Sequence, residues 1–394
     1  MKKKTRILVI GILLAVVLAA GICTGLIIRK RINDRTVNIA FYGLSDDLIE
    51  EIKKYIPQEE KIILKYTVLA PGNIELGAIT SKYDLLFTWK GDITDSLAEG
   101  VENIPGKILD NIPNSLRNKS CLPLLLDHYE LNLNKPILSV SGIFEFDSFE
   151  SFNTYLNEAS KHVFSPFFTD GGNDRTLLAL IGSIVEAKGG INAYQKLISE
   201  MRKASSLDDF INCELGEEGK ASLTVAGILD MLKAWAANGL CHPQWFNAND
   251  VDVNVFAQDK QLAAFFTSLS HHRKMSYRIV SEYETIRMPC ETDNIDHGII
   301  APAVCAVLIS DNANCKNYLK DMMTADVQSE MSNVTMLGPV HYRAECYDMQ
   351  ADDVRFWAAS CAGGAMPDLS LAVYQRKPDL QAKIASEIRL YLKR

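Results

Sequence analysis

The stretch at residues 122–138, LPLLLDHYELNLNKPIL, constrains this chain more than any other part of the sequence. It opens with an apolar run containing a proline, and after Asp127 the apolar residues Tyr129, Leu131 and Leu133 stand at every second position. The residues between them are polar, and a period of two indicates a β-strand. An acid and ring side chains are unusual in the middle of a core strand. We therefore predict that this strand forms the floor of a site for a polar ligand.

Upstream of this stretch, apolar strands alternate with amphipathic helices. The runs VNIAFYG, KIILKYTVL and YDLLFTW read as three strands, and Ser45 is placed to cap the helix that follows the first of them. This order predicts an α/β fold with a parallel sheet. Ligands of such sheets gather beyond the carboxyl ends of the strands. The residues that this rule places at a cleft are Tyr42, Thr88, Trp89 and Asp92.

Two of these residues have an alternative interpretation. Trp89 could cover the core of its own lobe, and Asp92 could cap a helix. Farther along, the segment DGGND at residues 170–174 precedes a long apolar helix. Its Asp170 and Asn173 could contact a ligand at the helix N-terminus, although an ordinary capped helix explains them equally well.

The order of the motifs resembles that of extracellular solute-binding proteins of sugar ABC importers, the family 1 or maltose-binding type. Leu-Pro at 122–123, Asp127 and Leu-Asn-Lys at 133–135 are similar to that family's first crossing between two lobes. YDLLFTWKGD resembles its strand end where an aromatic residue and an acid contact the sugar. HGIIAPAVCAVLIS and Gly338-Pro339 resemble the second and third crossings, and Gly-Ala-Met-Pro at 364–367 resembles a loop before a stacking aromatic residue. The resemblance covers residues 36–394.

The resemblance implies an α/β, two-lobed, periplasmic-binding-protein-like (type II) fold behind an N-terminal transmembrane helix. Residues 1–35 would form the membrane segment. Residues 36–125 and 300–338 would form the first lobe, and residues 126–299 and 339–394 the second. The implied function is capture of a small polar solute, a sugar or oligosaccharide, by lobe closure and its delivery to an ABC permease, without catalysis and without a cofactor.

A saccharide pocket needs flat aromatic side chains for stacking and polar groups for the hydroxyls. The candidate aromatic residues are Tyr42, Trp89, Tyr129, Phe168, Trp357 and Tyr374. The candidate polar residues are Thr88, Asp92, Asp127, Asp170, Asn173, Ser268 and Ser270. The two serines lie in QLAAFFTSLSHH, which resembles a contact element of the family but lacks its usual glycine and tryptophan. That departure favours a more polar contact here.

Composition excludes several other classes of function. The net charge of −8 disfavours nucleic acid, which requires a basic face. The nine cysteines form no metal-type cluster, and free buried thiols are favoured over disulfides. The sequence contains none of the motifs of common hydrolases or nucleotide-binding enzymes. Two alternatives remain: a glycan hydrolase that uses Asp127 with Asp92, and a solute sensor for a membrane receptor.

The N-terminal residues predict attachment to a membrane. The run at residues 7–28 is uncharged, and lysines and arginines flank it on both sides. Twenty-two residues in a helix span roughly 33 Å, enough for the bilayer core. An uncleaved anchor is favoured, with lipidation at Cys23 as the competing hypothesis. The resemblance implies that the lobes lie outside the cytoplasm, at the cell membrane.

Overall fold

The computed structural model describes residues 35–57, 62–72, 74–218, 221–290 and 296–394. The predicted membrane segment at residues 7–28 and the candidate lipidation site Cys23 lie outside these residues. Among the residues that are described, no helix is both long and apolar enough to cross a bilayer.

The first lobe is built on a six-stranded sheet. In chain-order numbering its strands are β1 (Thr36–Tyr42), β2 (Ile63–Leu69), β3 (Leu85–Trp89), β4 (Leu122–Leu126), β12 (Ala303–Leu308) and β13 (Gly338–Pro339). They lie in the order β13-β4-β12-β3-β1-β2. Strand β1 runs parallel to β2 and β3, whereas β12 runs antiparallel to β3 and β4. The predicted β-α-β-α-β unit at the start of the chain therefore forms the parallel half of this sheet.

The second lobe has a four-stranded sheet. Its strands are β5 (Tyr129–Asn134), β6 (Ser165–Thr169), β9 (Leu262–Ser268) and β10 (Tyr283–Ile286), in the order β10-β5-β9-β6. Strand β5 is antiparallel to β9 and β10, and β6 is parallel to β9. Two short ribbons complete the strands: β7 (Gly216–Glu218) with β8 (Ala221–Leu223), and β11 (Ile299–Ile300) with β14 (Ala365–Met366).

Helices cover both sheets. Those of the first lobe are α1 (Asp46–Lys54), α2 (Leu76–Lys82), α3 (Asp92–Leu97), α4 (Gly106–Leu109), α12 (Ala313–Met322), α13 (Ala325–Thr335) and α14 (Met349–Ser360). Those of the second lobe are α5 (Lys135–Ser141), α6 (Phe149–Ala159), α7 (Asp174–Lys203), α8 (Val225–Ala237), α9 (Asp250–Gln258), α10 (Leu269–His272), α11 (Tyr277–Glu282) and α15 (Pro378–Lys393). Single helical turns lie at Asn114–Leu116, Leu207–Asp209 and Trp245–Asn247, and a π-helical turn lies at Ser370–Tyr374.

The glycine pair at 189–190 interrupts α7, as glycine predicts: the backbone angles of Gly190 are non-helical, and two helical segments meet there. Gly190 has a φ of 67°, in the left-handed region that glycine adopts without steric cost. The helix kinks at this residue and continues to Lys203.

Each lobe has its own hydrophobic core. The first core draws its buried side chains mainly from residues 37–126 and 299–361, and the second mainly from residues 129–290 and 366–392. Because the first core ends at Leu126 and the second begins at Tyr129, residues 127 and 128 form the first crossing between the lobes.

The return of the chain to the second lobe comes later than the sequence predicted. The predicted boundary placed residues 339–394 in that lobe, but Val340 and Val354 are buried in the first core. The reason is that β13, predicted to be a crossing, pairs with β4 at the edge of the first sheet. Helix α14 therefore packs on the first lobe.

Candidate functional site

A cleft of about 500 Å³ lies between the two lobes. The first lobe lines it with Gly43, Ser45, Asp47, Leu48, Glu51, Trp89, Val334, Thr335 and Leu337. The crossing and the second lobe line it with Asp127, Tyr129, Asp170, Asn173, Arg175, Thr176, Thr267, Ser268, Ser270, His271 and Lys274. A solute in this cleft would contact both halves of the molecule at once.

Asp127 is fixed in position by hydrogen bonds from the residues beside it. Its Oδ1 accepts from the backbone N–H groups of His128 (2.9 Å) and Ser270 (3.0 Å), and its Oδ2 accepts from Ser270 Oγ at 2.6 Å. Ser268 Oγ lies 3.0 Å from Ser270 Oγ. Burial raises the pKa of the Asp127 carboxyl, and the bonds from Ser270 and His128 oppose that rise. The carboxyl therefore has a fixed orientation at the crossing between the lobes.

Asp170 follows β6 and is also buried, but one of its oxygens is left without a partner. Thr176 Oγ1 donates to Asp170 Oδ2 at 3.1 Å, whereas Oδ1 has no hydrogen-bond partner among the described residues. Burial raises the pKa of this carboxyl to about 7. The nearby Asn173 caps α7, since its Oδ1 accepts from the N–H groups of Arg175 and Thr176. Asp170 thus offers an open acceptor to a solute.

Trp89 and Arg175 meet across the cleft. The guanidinium carbon of Arg175 lies 5.2 Å from the centre of the Trp89 ring, within the range of a cation–π contact. Arg175 Nε donates to Asp368 Oδ2 at 2.9 Å, and Asp368 is fully buried. Burial of Arg175 opposes its charge, but the attraction of Asp368 outweighs burial and raises the pKa of Arg175. The cation and the ring together join the first lobe to the second.

The remaining cleft groups differ between the walls. On the first lobe, α1 presents Asp47 and Glu51, and Glu51 Oε1 accepts from Tyr55 Oη at 2.9 Å. On the second lobe, α10 presents His271, whose buried Nε2 has no hydrogen-bond partner within the described residues. Burial lowers the pKa of His271, so its imidazole is neutral at neutral pH. Lys274 completes the polar groups of the second wall.

The structure brings about half of the predicted site residues together. Those that line the cleft are Trp89, Asp127, Tyr129, Asp170, Asn173, Ser268 and Ser270. Those that do not line it are Tyr42, Thr88, Asp92, Phe168, Trp357 and Tyr374. The second group divides into residues held by the C-terminal part of the chain and residues buried in packing contacts.

The C-terminal part of the chain occupies the strand ends at Tyr42, Thr88 and Asp92. Tyr42 Oη donates to the carbonyl of Gln375 at 2.8 Å, and Gln375 Nε2 donates to Thr88 Oγ1 at 3.2 Å. Arg376 makes a two-point ion pair with Asp92, with distances of 2.5 and 3.0 Å. The rule that strand ends face the ligand therefore holds only in part. Gly43 and Trp89 line the cleft, whereas Tyr42, Thr88 and Asp92 are bonded to Gln375 and Arg376.

The other three predicted aromatic residues outside the cleft, Phe168, Trp357 and Tyr374, serve packing. Phe168 lies in the second core, with its ring centre 4.9 Å from that of Phe256. Tyr374 is buried in the same core. The half-buried Trp357 packs against the crossing, since its ring centre lies 5.1 Å from that of His128. None of the three contributes to the cleft wall.

Several cleft residues were not predicted from the sequence. They are Ser45, Asp47, Glu51, Arg175, Thr176, Thr267, His271, Lys274 and Thr335, together with the apolar and glycine positions of the first lobe. Arg175 could have been inferred, because it lies two residues after the cap Asn173, in the first turn of a helix predicted to face the cleft. Asp47 and Glu51 lie on the helix that follows Ser45, for which the sequence predicted only an amphipathic pattern. In the part of the chain that the structure describes, no cluster of three or more metal-ligating side chains occurs.

Comparison with known proteins gives matches to solved structures only. No protein-family model matches the sequence, and the search of curated proteins gave no match. Among solved structures, the bacterial solute receptor AcbH, described as preferring β-D-galactopyranose, superposes with a TM-score of 0.70 at 12% identity over 91% of this chain and 92% of that chain. The chain has the fold of an extracellular solute-binding protein.

Two further solute-binding structures agree with this fold. A family 1 extracellular solute-binding protein from Bifidobacterium longum subsp. infantis gives a TM-score of 0.59 at 13% identity, covering 91% of this chain and 97% of that one. A sugar transporter from Bacillus licheniformis in complex with stachyose gives 0.60 at 9% identity, with 91% and 98% covered. The predicted two-sheet α/β fold of the solute-binding type is thereby confirmed.

Proposed function

We propose that this chain captures a small polar solute, a saccharide, in the cleft between its lobes and delivers it to an ABC permease. The observation that carries this proposal is the cleft of about 500 Å³, which both lobes line with polar side chains. The solute-binding fold supports it, as do the neighbours described with galactopyranose and with stachyose.

The chemistry of the cleft suits the hydroxyl groups of a sugar. Asp170 Oδ1 is buried and has no partner among the described residues, so a hydroxyl that donates to it would satisfy an acceptor left open in the unbound protein. Tyr129 and Trp89, both nearly fully buried, line the cleft beside these acceptors. A buried carboxylate and ring faces together are typical of a site for a neutral polar ligand.

Lobe closure is the step that would couple capture to delivery. Only residues 127 and 128 separate β4 of the first lobe from β5 of the second. Rotation at this crossing and at the two later ones would bring α1 toward α10 around the solute. A permease that binds the closed form better than the open form would then select the loaded protein.

The geometry favours binding over hydrolysis. A glycosidase needs two carboxyl groups that flank the bond to be cleaved. Asp92, the partner that the sequence suggested for Asp127, is paired with Arg376 outside the cleft. Both oxygens of Asp127 accept bonds from Ser270, so this carboxyl is held as a structural and binding group.

Attachment to the cell membrane, with the lobes outside the cytoplasm, is part of the same proposal. The apolar run at residues 7–28 would anchor the chain near the permease and raise its local concentration there. Fractionation of cells that express the full chain tests this, and a Cys23→Ser variant separates the two modes of attachment. Retention of the variant in the membrane supports a helical anchor, whereas its release supports lipidation.

A melting-shift screen tests the proposed function directly. The purified full chain is heated with mono- and oligosaccharides, amino acids and polyamines, and the solute is afterwards examined by mass spectrometry. We expect a saccharide to raise the Tm and to be recovered unchanged. Stabilisation by none of the saccharides, or conversion of the bound sugar to products, would contradict the proposal.

A further inference from the structure

A second groove on the first lobe adjoins the cleft. It has a volume of about 440 Å³, and Val334 lines both the groove and the cleft. Its floor is one face of α13, where Asp326, Glu330 and Asn333 follow one another at helical spacing. The two spaces therefore meet at the C-terminal end of one helix.

Helix α13 is in contact with the cleft wall through α1. Tyr55 lies between Glu51, which lines the cleft, and Glu330, which lines the groove. Burial raises the pKa of the Tyr55 hydroxyl, and both carboxylates raise it further. Tyr55 thus connects one residue of the cleft wall, Glu51, with one residue of the groove, Glu330.

The far side of the groove is a loop held in place by α13. Asn333 Oδ1 accepts from the backbone N–H of Tyr347 at 2.8 Å, and Asn333 Nδ2 donates to the carbonyl of Glu345 at 3.2 Å. Ser329 Oγ accepts from the N–H of Glu345 at 2.8 Å. These three bonds fix the loop backbone, so that Tyr347 presents its ring from a fixed backbone position. That ring is 85% exposed.

We propose that this groove binds the distal units of an oligosaccharide whose first units occupy the cleft. An exposed ring beside carboxylates suits the apolar face and the hydroxyls of a sugar unit. The two spaces are neighbours, because Val334 lines both of them. The inference rests on the proposed function and narrows its solute to a chain longer than the cleft alone accommodates.

The test compares sugars of increasing length in two tyrosine variants. Calorimetric titration of the full chain uses galactose, melibiose, raffinose and stachyose, and malto-, xylo- and chito-oligosaccharides from monomer to hexamer. Tyr347→Ala is compared with Tyr277→Ala, whose tyrosine is 86% exposed but lines neither space. Tyr347→Phe keeps the ring and serves as the conservative variant.

We expect the affinity of the wild-type protein to rise with chain length within the series that binds. Tyr347→Ala should then weaken the longest sugars about tenfold, the loss of about 1.4 kcal/mol of stacking, and leave the shortest binder unchanged. Tyr277→Ala and Tyr347→Phe should behave as the wild type. Equal affinity for short and long sugars, or no effect of Tyr347→Ala on the long ones, overturns this inference but not the proposed function. If no saccharide binds, both this inference and the proposed function are contradicted.

Discussion

The two walls of the cleft are built differently. On the second lobe and at the crossing, Asp127 and Asp170 are buried, and hydrogen bonds from neighbouring side chains fix them. On the first lobe, Glu51 is also buried and accepts from Tyr55 Oη, but Asp47 is exposed at the start of α1, and the rest of that wall includes the apolar side chains of Val334 and Leu337. A wall with fixed polar groups binds without first ordering its side chains. We therefore expect the solute to bind the second lobe first and the first lobe to close over it.

The largest effect should come from the acid at the crossing. In Asp127→Asn the amide oxygen can still accept from the N–H groups of His128 and Ser270, but the amide nitrogen must donate to Ser270 Oγ, so the variant loses the negative charge and reverses that bond. We expect about a hundredfold loss of affinity for the saccharide, measured by calorimetry. The matched control on the other wall is Asp47→Asn, which should lose less than about threefold. Equal losses in the two variants would contradict the difference between the walls.

The second largest effect should be on the pH dependence of the affinity for the saccharide, which we attribute to Asp170. A sugar hydroxyl donates to the ionised carboxyl, whose pKa is about 7. Affinity should therefore rise about tenfold between about pH 6 and about pH 8, and Asp170→Asn should abolish this rise. A pH-independent affinity in the wild type would show that Asp170 does not contact the solute.

Asp170 also makes the stability of the unbound protein depend on pH. Stability should fall as the pH rises, whereas affinity should increase. Burial raises the folded-state pKa of Asp170 above its unfolded value of about 3.9, so the folded chain holds the proton more tightly. The stabilisation is complete below about pH 4 and is lost as the pH rises through about 7. Thermal denaturation at a series of pH values should show this decline in the wild type and a flatter profile in Asp170→Asn.

A smaller effect should come from the aromatic residue of the first wall. Trp89→Ala removes ring surface from the cleft and the cation–π contact of Arg175, and we expect a three- to tenfold loss of affinity. Trp357→Ala is the matched control, because Trp357 packs against His128 and does not line the cleft. A larger loss of affinity in Trp357→Ala than in Trp89→Ala would indicate that Trp357, rather than Trp89, contacts the solute.

The smallest effect on affinity should come from the residues bound by the C-terminal part of the chain. Tyr42→Phe and Asp92→Asn remove bonds to Gln375 and Arg376, and should change affinity less than about twofold. Each should instead lower the free energy of unfolding by about 1 kcal/mol, measured by urea denaturation. A strong loss of affinity without a loss of stability would show that Tyr42 and Asp92 contact the solute.

These residues also show what the sequence could and could not predict. The strands of the first lobe and the crossing at Asp127 follow from local patterns, because apolar runs and alternation depend only on neighbouring residues. The occupation of the strand ends at Tyr42 and Asp92 depends on Gln375 and Arg376, more than 280 positions later. No local pattern contains such a contact, and the same holds for β13, which pairs with β4.

The cleft residues that could be predicted are those with polar side chains that also lie at the end of a predicted strand or the start of a predicted helix. Asp170 and Asn173 lie at a helix start after a buried strand, and both line the cleft. Lys274 lies in a turn whose place in the fold is set by the packing of α10 on β9, and no local sequence pattern indicates that it lines the cleft. Aromatic residues were least predictable, since Trp89, Phe168 and Tyr374 are all buried in a core and, of these three, Trp89 alone also lines the cleft.

Hydrogen exchange with and without the saccharide that gives the largest melting shift tests the central claim most directly. We predict that the sugar protects backbone amides in residues 43–51 of the first lobe and residues 267–274 of the second, with the greater protection in the second. Both segments line the cleft. Protection confined to one lobe, or located away from these two segments, would contradict capture of the solute between the lobes.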